Sequence, residues 1–256
     1  MIFRSNKKNL LKMIAVVVLA AMPSFAATTV GLELALLVDV SGSIDANEFN
    51  LQKAGYVQAF QSAAVQNAIL NSVNGSIAAT MIYWSGAGQQ SQVVGWTLID
   101  SVASANAFAA AINATPQLFQ GLTAPGNAIN FAVPLFGSND FDAPRQVIDV
   151  SGDGAQNDGA NTAAARNAAL AAGIDTINGL VILGESGLQA FYQNNIIGGS
   201  GAFLAVANDF GDFAQAIQGK LVAEITGVPE PASVVFMLTT LGLVGVGMRR
   251  RMARNQ

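Results

Sequence analysis

Apolar residues run from Leu32 to Val38 with a single acid, Glu33, near the start. A stretch that is hydrophobic at nearly every position, and not at alternate ones, predicts a strand buried on both faces. Ile77 to Trp84, Gln146 to Ser151, Asp175 to Leu183 and Ala202 to Ala207 predict further strands. Val93 to Ile99 predicts a short strand that follows its predecessor without a helix between, the pattern of an antiparallel edge. The intervening segments have helical signals. Asp45, with Glu48 three positions on, predicts a capped helix from about Ala46 to Asn71. Others are expected at about Ala103 to Asn113, Pro125 to Phe136, the alanine-rich Ala160 to Gly173, Leu188 to Asn194 and Phe210 to Glu224. Strands alternating with helices predict an α/β fold: a doubly wound, mostly parallel central sheet of Rossmann-like type, flanked by helices and carrying one short antiparallel edge strand.

The two ends depart from this pattern. Residues 1–26 combine Arg4, Lys7, Lys8 and Lys12 with the apolar run MIAVVVLAAM and then small residues ending at Ala26, the layout of a signal peptide removed by signal peptidase. That run is shorter than the roughly 20 residues a membrane-spanning helix needs. Residues 228–256 begin with Val228-Pro229-Glu230-Pro231 and continue into 17 apolar-leaning residues, 232–248, before Arg249, Arg250 and Arg251. Such a segment can just cross a bilayer, with its arginines on the cytoplasmic side. Both ends therefore predict export of residues 27–227 as one domain, with membrane contact confined to the terminal segments.

Charge agrees with this division. All 16 acidic residues lie within 27–231 but only four of the 12 basic ones do, so this stretch has a formal charge of −12. Such a surface repels nucleic acid and favours cations or basic partners. Cysteine and histidine are both absent. The domain must fold without disulfides, and Ser-His-Asp and Cys-His catalysis and the usual zinc sites are excluded. A bound metal must be held by oxygen, which points to magnesium, calcium or manganese.

In open α/β sheets, ligands gather beyond the carboxyl ends of the strands. Three loops there carry oxygen donors. The first strand runs into Asp39-Val40-Ser41-Gly42-Ser43, where alternate residues of an extended loop point one way. The stretch QGLTAPGNAI places Thr123 just before a helix, and VIDVS leads into Gly152-Asp153-Gly154. Taken singly, these are ordinary caps and turns. Together, Asp39, Ser41, Ser43, Thr123 and Asp153 form a set of hard donors suited to a divalent cation, magnesium first, with calcium or manganese as alternatives. Asp149 lies inside an apolar strand, where a carboxylate needs a partner; Arg145 is the candidate. Gly198 to Gly201 (GGSG) lacks the lysine and helix of a phosphate loop and is expected to be a turn. Trp84 and Trp96 are expected to pack in or beside the core. Asp140, Asp142, Asp158, Asp209 and Asp212 are expected to be solvated loop or cap residues.

DVSGS, a threonine loop and a later Asp-Gly after a strand resemble the metal-ion-dependent adhesion site (MIDAS) of von Willebrand factor type A domains. DVSGSID, MIYWSG, VIDVSGDGAQNDG, GIDTINGL and IIGGSGAF are similar to a bacterial subfamily of those domains without assigned function. The resemblance covers about Gly31 to Ile225. It implies that Ser41, Ser43 and Thr123 contact the cation, that Asp39 and Asp153 act mainly through water, and that an acidic group of a partner protein completes the shell. The segment from VPEP to the arginines resembles the PEP-CTERM sorting signal of Gram-negative bacteria. That resemblance implies cleavage near Pro229-Glu230-Pro231 by an exosortase and release to the cell surface or extracellular matrix. The expected function is a non-enzymatic, metal-dependent binding module. Two alternatives stand beside it: a matrix protein whose cation site only stabilises the fold, and a metal-assisted hydrolase, for which no general base is evident.

Overall fold

The computed structural model describes residues 26–228. The candidate signal peptide before Ala26, the Pro229-Glu230-Pro231 motif and the apolar span 232–248 lie outside the described residues. Among the described residues no helix is long and apolar enough to cross a membrane.

Strand β1 (Thr28–Thr29) is followed by β2 (Glu33–Asp39), α1 (Ala46–Gln61), α2 (Ala63–Leu70), β3 (Ile77–Trp84), β4 (Gln90–Ile99), α3 (Val102–Asn113) and α4 (Pro125–Phe136). The second half comprises β5 (Phe141–Asp142), β6 (Gln146–Gly152), α5 (Thr162–Ala171), β7 (Thr176–Ile182), α6 (Leu188–Phe191), β8 (Gly198–Gly199), β9 (Leu204–Ala207) and α7 (Phe213–Thr226). A π-helical turn, Tyr192–Ile196, continues α6. The main sheet has the order β4-β3-β2-β6-β7, and the outer edge of β7 is shared by β8 and β9. β2, β3, β6, β7 and β9 are parallel, while β4 and the two-residue β8 are antiparallel. The α/β fold and the antiparallel edge follow the pattern of the sequence. The tiny β1–β5 pair and β8 do not, because two residues are too few to show a period.

β2 lies in the middle of the sheet and is buried throughout. Its side chains alternate between faces. Leu34, Leu36 and Val38 pack with Phe49, Tyr56, Phe60, Phe108 and Phe213 of α1, α3 and α7. Ala35 and Leu37 pack with Ile129, Ala132 and Phe136 of α4 and with Ala165 and Ala169 of α5. Trp84 is fully buried and Trp96 packs edge-on against Phe136, its Nε1 donating to the Leu135 carbonyl at 3.1 Å.

The expected single helix from Ala46 to Asn71 is two. Asp45 does open α1 with a capping box that includes Glu48. Ser62 then turns extended, at φ −75° and ψ 143°, and its hydroxyl accepts from the Val65 N–H to cap α2. Hydroxyl groups compete with the helix backbone in this way, and an apolar periodicity that continues past them does not reveal the break.

Asp149 is paired differently from the sequence expectation. Its Oδ1 lies 2.7 Å from the Nζ of Lys220 on α7, and Lys220 also contacts Glu224 one turn on, all three fully buried. Arg145 instead donates to the Glu224 carbonyl at 3.0 Å. Asn178 Nδ2 reaches Glu224 Oε1 at 2.9 Å, and Tyr56 and Ser151 share a bond of 3.1 Å beside the ion pair.

Both ends of the described chain emerge at the sheet edge where β6 starts. Thr28 and Thr29 pair with Phe141 and Asp142, just before that strand. At the other end Arg145, also just before β6, approaches Gly227 after α7.

Candidate metal centre

Asp39 is the last residue of β2, at the edge opposite the two chain ends. The chain leaves the strand in a tight arc held at three points. Val40 donates to the Trp84 carbonyl at 2.9 Å, Gly42 to the Gly121 carbonyl at 2.8 Å, and Ile44 to the Ser41 carbonyl at 3.0 Å. Gly42 meets the neighbouring loop so closely that a Cβ would lie 3.0 Å from the Gln120 carbonyl oxygen. Asp39 is fully buried and its Oδ1 accepts the Ser41 N–H at 2.8 Å.

The loop before α4 is fastened to β3. Ser85, just past that strand, accepts the Gly121 N–H at 2.9 Å and donates to the Leu122 carbonyl at 2.9 Å. The next residue, Thr123, is buried, with its N–H on Asn157 Oδ1 at 2.8 Å and its carbonyl receiving the Asn157 and Asp158 N–H groups. Asp158, expected to be merely solvated, accepts the Ala87 N–H at 2.8 Å and ties the loop after β6 to that after β3. Ser85 and Asn157 are thus supporting residues that sequence reasoning passed over. Their partners are 36 and 34 residues away, and no local pattern marks such contacts.

The five candidate residues meet across these loops. Ser41 Oγ lies 3.3 Å from Ser43 Oγ and accepts from Thr123 Oγ1 at 3.5 Å, and Ser43 Oγ donates to Asp153 Oδ1 at 2.8 Å. A cavity of ≈ 380 Å³ opens beside them, lined by Ser43, Thr123, Asp153, Gln156 and Glu185. Buried carboxylate without a counter-charge is unfavourable, and its titration reflects that. Burial pushes the Asp39 carboxyl up to about 8, against the hydrogen bonds from Ser41, with neighbouring Asp153 adding to the rise. Asp153 is raised as well, mainly by burial, opposed by its bond from Ser43 and assisted by Glu48 and Glu185.

The four basic residues among those described are engaged elsewhere. Lys53 reaches the Thr115 carbonyl, Arg145 the Glu224 carbonyl, Arg166 the Asn194 carbonyl and Lys220 its two acids. Asp39 Oδ2 is buried without a hydrogen-bond partner. This orphaned oxygen, among hydroxyls that supply dipoles but no charge, fits a cation. Among the described residues no group of three or more Asp, Glu, His or Cys has metal-binding geometry, so the donor set here is hydroxyl-rich with two carboxylates.

Solved structures share this fold at low identity. Proximal thread matrix protein 1 from the mussel byssus has a TM-score of 0.57 at 14% identity, over 78% of this chain and 48% of that one. The form described as having a zinc-occupied MIDAS motif has a TM-score of 0.54 at 16% identity, over 77% of this chain and 46% of that one. The pilus adhesin SpaC of Lactobacillus rhamnosus GG gives 0.58 at 15%, over 77% and 31%. A von Willebrand factor type A protein of Catenulispora acidiphila gives 0.52 at 15%, over 78% and 43%. The chain thus spans about half or less of the length of these structures. No curated protein matches it.

Residues 227–251 match the PEP-CTERM protein-sorting motif, which implies export. Residues 29–229 match the family described as "Protein of unknown function (DUF1194)", and with a von Willebrand factor type A fold followed by that sorting motif the chain belongs to this family.

Proposed function

We propose that the protein is an exported, non-enzymatic binding module whose loops hold a divalent cation for capture of a partner. Asp39, Ser41, Ser43, Thr123 and Asp153 form the cation site. The observation that carries this reading is the buried Asp39 carboxylate, with Oδ2 unpartnered and no basic residue beside it. A bound divalent cation supplies a Lewis-acidic position that an acidic side chain of a partner protein can occupy. The protein's own part is to hold the loops apart and fixed. Ser41 and Ser43 keep their hydroxyls side by side, Thr123 is clamped by Asn157, and Asp153 is oriented by Ser43. Magnesium suits an oxygen-only set, with calcium and manganese as alternatives. The zinc-occupied MIDAS of the mussel protein adds zinc to the cations worth testing.

Export fits an arrangement of signal peptide (1–26), von Willebrand factor type A domain (27–227) and sorting signal (228–256). Signal peptidase would act after Ala26 and an exosortase near Pro229-Glu230-Pro231, leaving the domain at the cell surface or in the extracellular matrix. A second reading, a matrix protein in which the cation only stabilises the fold, is favoured by the full burial of Asp39, which makes the cation part of the core.

Calorimetric titration of the full chain with magnesium, calcium, manganese and zinc tests the site, alongside an Asp39→Ala, Ser41→Ala variant. Saturable binding near one ion per chain, weakened at least about tenfold in the variant, is expected. Absence of binding by folded wild-type protein would overturn the proposal. If Asp39→Ala abolishes partner capture but leaves the fold intact, the binding module stands, whereas unfolding favours the structural reading.

A further inference from the structure

A polar group outside the proposed donor set reaches the same place from the layer that packs on Ala35 and Leu37, the face of β2 that Asp39 shares. Tyr192 begins the π-helical turn after α6, is fully buried, and has a hydroxyl without a hydrogen-bond partner. The Asp39 oxygen described above, Oδ2, is likewise without one. Both look onto the gap over Gly152. A Cβ placed on that glycine would lie 2.7 Å from Asp39 Oδ2 and 2.7 Å from the Tyr192 hydroxyl, so the two oxygens are separated by no more than twice that distance. Two orphaned buried oxygens, one a donor and one an acceptor, facing one gap kept open by a glycine are more than packing requires.

We infer that Tyr192 is a positioning residue of the cation site, its hydroxyl donating toward Asp39 Oδ2 through the gap over Gly152. The inference rests on the cation reading above. Asp39 Oδ1 is fixed by the Ser41 N–H. A donor on the other oxygen fixes the plane of the carboxylate and offsets the loss of hydration that comes with burial. Glycine is required at 152 because any side chain would fill the space through which the two oxygens communicate. The π-helical turn is the element that brings the phenol there, and such turns recur where a side chain must be aimed out of register.

Tyr192→Phe keeps the ring and removes the donor. The full chain and this variant are titrated with magnesium and manganese by calorimetry, and the near-ultraviolet tyrosine difference spectrum is followed as the cation is added. The variant is expected to bind about tenfold more weakly and to lose the difference signal, and its cation-free melting temperature is expected to be lower, since Asp39 Oδ2 loses its donor. Tyr83→Phe, whose hydroxyl bonds Thr115 at 2.6 Å away from the site, should retain the signal. If wild type binds and Tyr192→Phe binds equally with the same spectrum, the inference is overturned while the cation site stands. Should wild type bind no cation, both fall together. If Tyr192→Phe fails to fold, Tyr56→Phe beside Tyr83→Phe decides: a cation-induced signal kept in both belongs to Tyr192, the third tyrosine of the chain, and supports the inference, whereas a signal absent from binding wild type, or lost in either variant, overturns it.

Discussion

On the proposed cation reading, Asp39 is the residue at which stability and binding pull in opposite directions. Its carboxylate gains a hydrogen bond from the Ser41 N–H but loses its hydration, and burial prevails, raising its titration to about 8. Asp39→Asn keeps the shape and removes the charge. Without cation the variant is expected to melt higher than wild type by the equivalent of about 1–2 kcal/mol, since the buried carboxyl must take up a proton to stay neutral below about pH 8 and the amide needs none. With saturating magnesium the order should reverse, because only the wild type gains from binding. Thermal melts of both proteins with and without the cation check this. An unchanged order would mean that the charge of Asp39 plays no part in holding the ion.

At the scale of elements, Ser62 separates α1 from α2 by capping the second helix. Ser62→Ala removes that cap and the bond to the Ala59 carbonyl, and should cost about 1 kcal/mol in urea unfolding without altering cation affinity. The break escaped sequence reading because apolar spacing runs on across it. Strand boundaries were more legible, since β2 and β3 are continuous apolar runs flanked by Gly31, Ser76 and Ser85. Two of the site loops were legible for the same reason, since those after β2 and β6 begin where an apolar run stops; the Thr123 loop instead joins α3 to α4 and follows no strand. Contacts made by distant residues were not. Arg145 was the natural sequence partner for Asp149, but four residues along a strand separate two Cα atoms by about 13 Å. Lys220, 71 residues away, arrives only because α7 packs on the same face. Tyr192 is equally silent in sequence, as its relation to Asp39 depends on a π-helical turn.

Across the whole molecule, the buried cluster of Asp149, Lys220 and Glu224 couples α7 to the sheet and makes stability depend on pH. Burial, reinforced by Asp149 and opposed by Lys220, raises the Glu224 carboxyl from 4.5 to about 7. Between those values the unfolded chain has released a proton that the folded chain keeps, so raising the pH through this window favours unfolding. Asp39 and Asp149 are raised as well and act in the same direction. The cation-free protein should therefore lose stability between pH 4.5 and about 7, and Glu224→Gln should flatten part of that slope. Urea midpoints across the window, for wild type and variant, measure it. A midpoint rising with pH in the wild type would contradict the assignment.

The placement of the chain ends has a mechanical consequence. Both Ala26 and Val228 leave from the edge where β6 starts, whereas Asp39, Gly152 and the loops around them form the opposite pole. If a partner grips that pole while the chain is tethered at Val228, tension enters through α7, which ends at Thr226, and passes to the sheet through that helix's packing and the Lys220–Asp149 pair. Because α7 runs from the site pole back to the tethered one, those contacts are loaded together in shear and cannot be peeled one at a time. A protein hung between a surface and a ligand in flow would resist being pulled apart for as long as the tether stays on that side.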